Sequence, residues 1–277
     1  MTIDTYAALE KKCREVRYLT FDAIGTLGVG HLGGSFSAVD ALVVLYYRHL
    51  RFDPKQPKME GRDRFVLSKG HAGPALYAIL ADHGIIDKSE LSTLNRHETR
   101  LPSHADMNRT PGIDMTTGSL GQGLSCAVGI AVGSKIKKDG ARVYCMIGDG
   151  ESNEGQIWEA AMYAAHMHLD NLIVFTDYNK MQVDGQTKDI LGLEPICDKW
   201  ISFGWNAERV DGHDVKAIDE AIDRAKAIKG KPCMIILDTL KGKGISFIEE
   251  IWQNNHNVNV TPVQHEAGLA ELAKEGF

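Results

Sequence analysis

The sequence predicts an α/β fold, with a parallel sheet and helices on both of its faces. Three observations carry this. Short apolar, β-branched runs alternate with longer stretches of helical spacing along most of the chain. One stretch, 143–179, reads as a complete strand–helix–strand unit, and such units are right-handed with both strands ending on one sheet edge. Glycine-rich turns fall at strand ends and helix starts, where open α/β sheets bind ligands.

In chain order, helical spacing covers 5–26, 38–49, 73–83, 119–138, 155–169 and 215–229. Strand-like runs cover 65–67, 143–147, 172–176, 207–210 and 234–239. His49 closes the second helix, where a cation would complement the helix dipole. The stretch 53–61, with Pro54 and Pro57, is a loop and not a domain boundary. A short, exposed-looking helix covers 263–275. No repeat or linker divides the chain, so residues 1–277 are taken as a single domain.

Composition narrows the function classes. The net charge is −6, with no basic run, which argues against nucleic-acid binding. No apolar stretch is long enough to span a bilayer, and residues 1–12 lack the apolar core of a signal peptide. Five cysteines stand apart without a Cys-x-x-Cys pair, so neither a zinc site nor a disulfide framework is suggested. A reducing cytoplasm is the simplest setting.

The chemistry concentrates in four groups. In the 143–179 unit, Gly148-Asp149-Gly150 follows the first strand and Asn179 ends the second, 29 residues after Gly150. A carboxylate, an amide oxygen and a backbone carbonyl are hard oxygen ligands, suited to Mg²⁺ or Ca²⁺ with positions left for a diphosphate. The alternative is a tight turn without a metal. Four histidines lie in glycine-flanked or loop settings: His31 in GHLGGS, His71 in SKGHAGP, His104 in LPSHADM and His256 in QNNHNVN. Imidazole suits proton transfer near neutral pH, although any one of these could be a surface or capping residue. His83, His97, His166, His168, His213 and His265 lack that context and read as structural or surface. The run TTGSLGQG at 116–123 feeds a helix, presenting backbone N–H groups to an anion or polar ring, or simply packing tightly. Finally, Lys241 or Lys243 in TLKGKG, at the end of the last strand, could reach a phosphate; Lys243 reads rather as a solvated edge lysine.

In this order, GHLGGS, DRFVLSKGHA, LPSHAD, TTGSLGQG, GDGESNEG with Asn179, and KGKGISF resemble the thiamine-diphosphate-binding half of transketolase, over residues 14 to 257. The resemblance implies the thiamine-diphosphate-binding, diphosphate-type fold. It implies Mg²⁺ or Ca²⁺ held by Asp149, Asn179 and the carbonyl of Met181. It places His71, Gly148, Gly150 and Lys241 at the cofactor diphosphate and Gly118, Ser119 and Leu120 against its aminopyrimidine. Glu154 comes beside the cofactor and, with Glu159, near a subunit interface. His31, His71, His104 and His256 become the catalytic histidines of a ketose channel. His-Ala-Asp at 104–106 departs from the usual His-Pro-Glu, and the histidine after the lysine loop stands in an unfamiliar Trp252-to-His256 run.

The resemblance further implies an N-terminal transketolase subunit that transfers a two-carbon ketol unit from a ketose, or ketose phosphate, to an aldose. Its partner would supply the pyrimidine-binding and C-terminal domains, in a two-plus-two heterotetramer. The alternatives are a 2-oxoacid dehydrogenase alpha-type subunit, a deoxyxylulose-phosphate-synthase-like subunit, or else a non-catalytic cofactor-binding scaffold. The histidine-rich loops argue against the first. A pyruvate donor would mark the second.

Overall fold

A computed structural model describes residues 2–183 and 185–274. The helices are α1 (Tyr6–Leu27), α2 (Leu32–Val44), α3 (Gly73–Asp82), α4 (Gln122–Lys137), α5 (Gly155–His166), α6 (Thr187–Ile190), α7 (Ile196–Ser202), α8 (Val215–Ala227), α9 (Ser246–Glu250) and α10 (Pro262–Ala273). The strands are β1 (Val29–Gly30), β2 (Arg64–Leu67), β3 (Val143–Gly148), β4 (Leu172–Tyr178), β5 (Met181–Gln182), β6 (Gly185–Gln186), β7 (Asn206–Asp211), β8 (Cys233–Asp238) and β9 (Val258–Asn259).

The main sheet is wholly parallel, in the order β2-β3-β4-β8-β7. Its three central strands read VYCMIG, LIVFTDY and CMIILD, and are buried almost throughout. Such unbroken apolar runs are what a sheet covered on both faces requires. Alternate side chains divide into two cores. Tyr144, Met146, Ile173, Phe175, Ile235 and Leu237 face a layer containing α1, α2, α3 and α8. Val143, Cys145, Ile147, Val174, Met234 and Ile236 face α4, α5 and α7. Register aligns Gly148 with Asp177, and Asp177 with Leu237, so three strand ends reach one edge together.

Local chemistry sets the helix ends. Thr5 caps α1, which stops at Gly28 in the left-handed region (φ 90°). The side chain of Asp214 accepts from the N–H groups of Lys216 and Ala217 to start α8. Thr261, Pro262 and Gln264 form a capping box with proline in the first turn of α10.

Four expectations are corrected. The second helix begins at Leu32, not residue 38, because Gly33 and Gly34 enter it: close packing there outweighs glycine's poor helix propensity. The fourth begins at Gln122, after Gly121 at φ 89°. The His49 side chain is 4% exposed and bonded to Asp219 and Lys226, and burial followed by the Lys226 charge lowers its pKa, which disfavours the charged form that a dipole partner needs. The last helix is not free-standing; α10 packs along α1, burying Gly268 and Leu272. Glu275, placed in that helix by the sequence pattern, lies outside the described residues. Unforeseen are the two-residue antiparallel pairing of β1 with β9 and the β5–β6 hairpin. Among the described residues, no helix is long and apolar enough to cross a membrane.

Candidate functional site

The site grows from the carboxyl edge of the sheet. At the end of β3, Asp149 is 2% exposed, and its two oxygens are oriented by main-chain donors. Gly150 N–H donates to Oδ1 (2.8 Å) and Lys180 N–H to Oδ2 (2.6 Å). At the end of β4, Asn179 is likewise buried, with its Nδ2 donating to Asp177 (2.9 Å) and its Oδ1 accepting from Met181 N–H (3.1 Å). Asp149, Asn179 and Met181 line one cavity of about 230 Å³, together with Gly148, Gly150, Leu120, Glu154, His71, Lys241 and His256.

The electrostatics favour a cation bound with an anion. Burial, and then the charge of Asp177, push Asp149 up to about 7, outweighing its two main-chain donors and the charge of Lys69. Lys241 is 2% exposed, and its Nζ has no hydrogen-bond partner among the described residues. Burial, and then Lys69, lower its pKa to about 8. A buried ammonium without acceptors, beside a carboxylate raised in pKa, suits a ligand bringing both a metal and phosphate oxygens. Among the described residues no three His, Cys, Asp or Glu side chains group as a metal site. A carboxylate and an amide oxygen, with Met181 lining the same cavity, are hard oxygen donors of the kind that Mg²⁺ or Ca²⁺ takes. Lys243 points elsewhere, 3.6 Å from Glu249.

The four loop histidines converge. The ring centroid of His31 lies 5.5 Å from that of His71, 5.3 Å from His104 and 5.3 Å from His256; His71 and His256 are 5.1 Å apart. All four pKa values are lowered, first by burial; the Lys69 charge adds to this for His71, and the Lys241 charge for His31 and His256. Neutral imidazoles each offer one donor and one acceptor, as a proton relay needs. Gly118, at φ 148°, lies against His104: a Cβ there would sit 3.1 Å from the ring. Leu120 reaches the cavity wall, whereas Ser119 remains exposed and outside it.

Three site residues escape a reading of the sequence. Lys69 bonds Gly34 O (2.9 Å) and pairs with Asp177. Asp177, in β4, also accepts from Ser37 of α2 (2.7 Å) and from Thr239 just past β8 (2.6 Å), tying these elements to Lys69. Glu151, 2% exposed, accepts from Gly121 N–H (2.8 Å), Gly148 N–H (3.0 Å) and the Ser68 hydroxyl. Lys69 and Glu151 stand in plain view within SKGHAG and GDGESNEG, but a sequence does not show which charged residues turn inward. A wider cleft of about 710 Å³ adjoins the site past Arg209 and Trp252. There Asp238 and Glu194 neutralise Lys180 and Arg209, leaving less chemistry than in the smaller cavity.

Comparison with known proteins agrees with this geometry. Residues 9–274 match the family profile described as the thiamine diphosphate binding domain of transketolase. The chain is 54% identical over 268 residues to the 6-deoxy-6-sulfo-D-fructose transketolase subunit SqwG of Clostridium sp. strain MSTE9, covering 97% of each chain. It is 40% identical over 273 residues to an apulose-4-phosphate transketolase subunit of Actinobacillus succinogenes, covering 98% of each. Among solved structures, transketolase from Leishmania mexicana superposes with a TM-score of 0.90 at 29% identity, and that from Campylobacter jejuni with 0.89 at 29%. Each match covers 98% of this chain but only 42% and 43% of those longer chains.

Proposed function

Because the chain belongs to the transketolase family through its thiamine-diphosphate-binding domain, we propose that it is the cofactor-binding subunit of a two-chain transketolase. It moves a two-carbon ketol unit from a ketose donor to an aldose acceptor. The observation that carries the reading is the meeting, at one cavity, of the Asp149–Asn179 oxygen pair with His71 and His256, whose rings cluster with those of His31 and His104.

In this reading Asp149, Asn179 and the Met181 carbonyl hold Mg²⁺ or Ca²⁺, and Lys241, His71 and Gly150 face the diphosphate. Gly118 and Leu120 sit beside the cofactor ring, with Ser119 at the outer end of that turn. Glu154 is exposed at the cavity rim, where a partner chain can meet it. When bound, thiamine diphosphate supplies a carbanion-stabilising centre that accepts the two-carbon unit. The four imidazoles hydrogen-bond substrate oxygens and move protons at them while burial limits water.

The partner is a second chain, since relatives of matching length are named subunits and this chain spans about two fifths of the solved transketolases. A two-plus-two assembly is the simplest closed arrangement. The names of these relatives support starting the donor panel with 6-deoxy-6-sulfo-D-fructose and apulose 4-phosphate. A 2-oxoacid dehydrogenase or deoxyxylulose-phosphate-synthase reading gains nothing from these relatives, and the intact metal-ligand pair and histidines weigh against a scaffold role.

The test is to mix the chain with its genomic neighbour's product, thiamine diphosphate and Mg²⁺, and to follow ketol transfer from 6-deoxy-6-sulfo-D-fructose and xylulose 5-phosphate. Turnover in the mixture and in neither chain alone is expected. Turnover with pyruvate as donor would sink the assignment. Asp149→Ala should abolish Mg²⁺-dependent cofactor binding by calorimetry, and retained affinity would contradict the metal assignment.

A further inference from the structure

We propose that Asn255 is the positioning residue that locks the lysine loop and the histidine cluster into one register. The catalytic meaning of that role rests on the function proposed above, but its geometry does not. Asn255 is 0% exposed. Its Nδ2 donates to Lys241 O (2.8 Å) and Ile248 O (3.2 Å). Its backbone carbonyl accepts from Gly33 N–H (2.9 Å), and Gly33 O in turn accepts from Gly242 N–H (3.1 Å). Three segments therefore close on one residue: the first turn of α2, next to His31, the strand-end loop that bears Lys241, and the stretch that bears His256.

The neighbouring glycines are shaped to this amide. A Cβ on Gly33 would lie 2.5 Å from Asn255 Oδ1, and one on Gly242 would lie 2.7 Å from its Nδ2. Gly242 also stands at φ 87°, where L side chains are strained. Because Asn255 turns inward, the next ring is delivered the other way. His256 then lies 5.1 Å from His71 and 5.3 Å from His31, measured between ring centroids.

A mere filler would not look like this. Asn255 Oδ1 is buried without a partner among the described residues, so the amide carries an unsatisfied acceptor that an apolar side chain of similar size would avoid. What the apolar residue lacks is a donor able to hold two carbonyls from two turns at once. The charged and titratable groups around His256 are Lys241 and Lys69, His31 and His104, with the His71 ring alongside. Its imidazole therefore reports whether the register holds.

The experiment uses the chain and two variants, Asn255→Leu, which keeps the branched four-atom outline, and Asn255→Ser, which does not. Ring-¹⁵N spectra give the His256 titration midpoint, assigned with His256→Gln, and calorimetry gives affinity for thiamine diphosphate with Mg²⁺. Expected in both variants is a His256 midpoint raised by about one pH unit or more toward the ordinary histidine value, with cofactor binding weakened about tenfold or more and near-native melting. A wild-type midpoint and wild-type affinity in Asn255→Leu would overturn the proposal by making Asn255 a filler. Loss of the folded state in both variants would also overturn it, since Asn255 would then be a residue of global stability. If the unsubstituted chain binds no cofactor even with its partner, the proposed function fails, while the His256 midpoint still judges Asn255.

Discussion

The imidazole of His83 shows how a single residue can set acid sensitivity away from the site. It lies among Tyr47 (4.4 Å between centroids), Phe52 (5.0 Å) and Tyr46 (6.1 Å), and neither ring nitrogen has a partner among the described residues. Burial lowers its pKa to about 4. The folded protein therefore takes up this proton later than the unfolded chain, so stability falls as pH drops from about 6.5 toward 4. Replacing it with Phe should flatten the decline of the urea midpoint across that window; an unchanged decline would place the acid sensitivity elsewhere. Lys241 has the opposite consequence for binding. Its ammonium is lost as pH rises through about 8, so affinity of the metal-loaded chain for thiamine diphosphate should weaken above that pH. Lys241→Met should remove that step from the calorimetric profile. The presence of a lysine in this loop was legible in TLKGKG. That Lys243 is the solvated one was read there too; the near-complete burial of Lys241 was not, because that depends on packing against elements far away in sequence.

At the scale of elements, the five strands of the main sheet declared themselves and the junctions did not. Apolar runs such as CMIILD are readable because a strand covered on both faces needs no polar alternation. The start of α2 was hidden, since GHLGGS looks like a loop by propensity. There Gly34 lies close to Lys69 and His71, a Cβ meeting His71 Nε2 at 3.2 Å. The register of His256 could not be read from Trp252-to-His256, because it follows from the inward turn of Asn255. Two substitutions probe such junctions. Gly70→Ala would set a Cβ 2.7 Å from the backbone of Thr117, prying the His71 turn from the 116–123 turn. A cost of about 1–3 kcal/mol in urea unfolding is expected. Glu151→Ala would strip the acceptor from two buried main-chain N–H groups and the Ser68 hydroxyl, costing about 2–4 kcal/mol. A loss within about 0.5 kcal/mol for Glu151→Ala, the range of an ordinary surface change, would show that those donors find other partners.

For the whole molecule, one sheet divides two cores, and α10 completes one of them from the far end of the sequence. Phe21 of α1 meets the ring of His265 (5.7 Å, edge-on), which also bonds Asp22 (3.0 Å). Gly268 gives Phe21 its room, for a Cβ there would stand 2.7 Å from the ring tip. Gly268→Ala should lower the melting temperature by a few degrees and loosen β9 with it, read as faster hydrogen exchange at Val260 N–H, whose partner is Gly28 O. Unaltered exchange at Val260 would show that α10 and β9 are uncoupled. The α/β class was legible because it depends on alternation that many residues repeat. The docking of α10 was not, because a glycine and a histidine carry it and neither advertises burial.

The pairing of β1 with β9 also has a consequence in time. Val29 meets Asn259 and Gly30 meets Val258, so a chain leaving the ribosome must wait for nearly its last strand before β1 finds its neighbour. At ordinary elongation rates of about 5–20 residues per second, that wait is roughly 10–50 s. During it, β3 and β4 can already pair and set Asp149 beside Asn179, whereas His31 has no His256 to face. Assembly of the site is thus ordered by translation: the oxygens of Asp149 and Asn179 come first and the histidine cluster closes last.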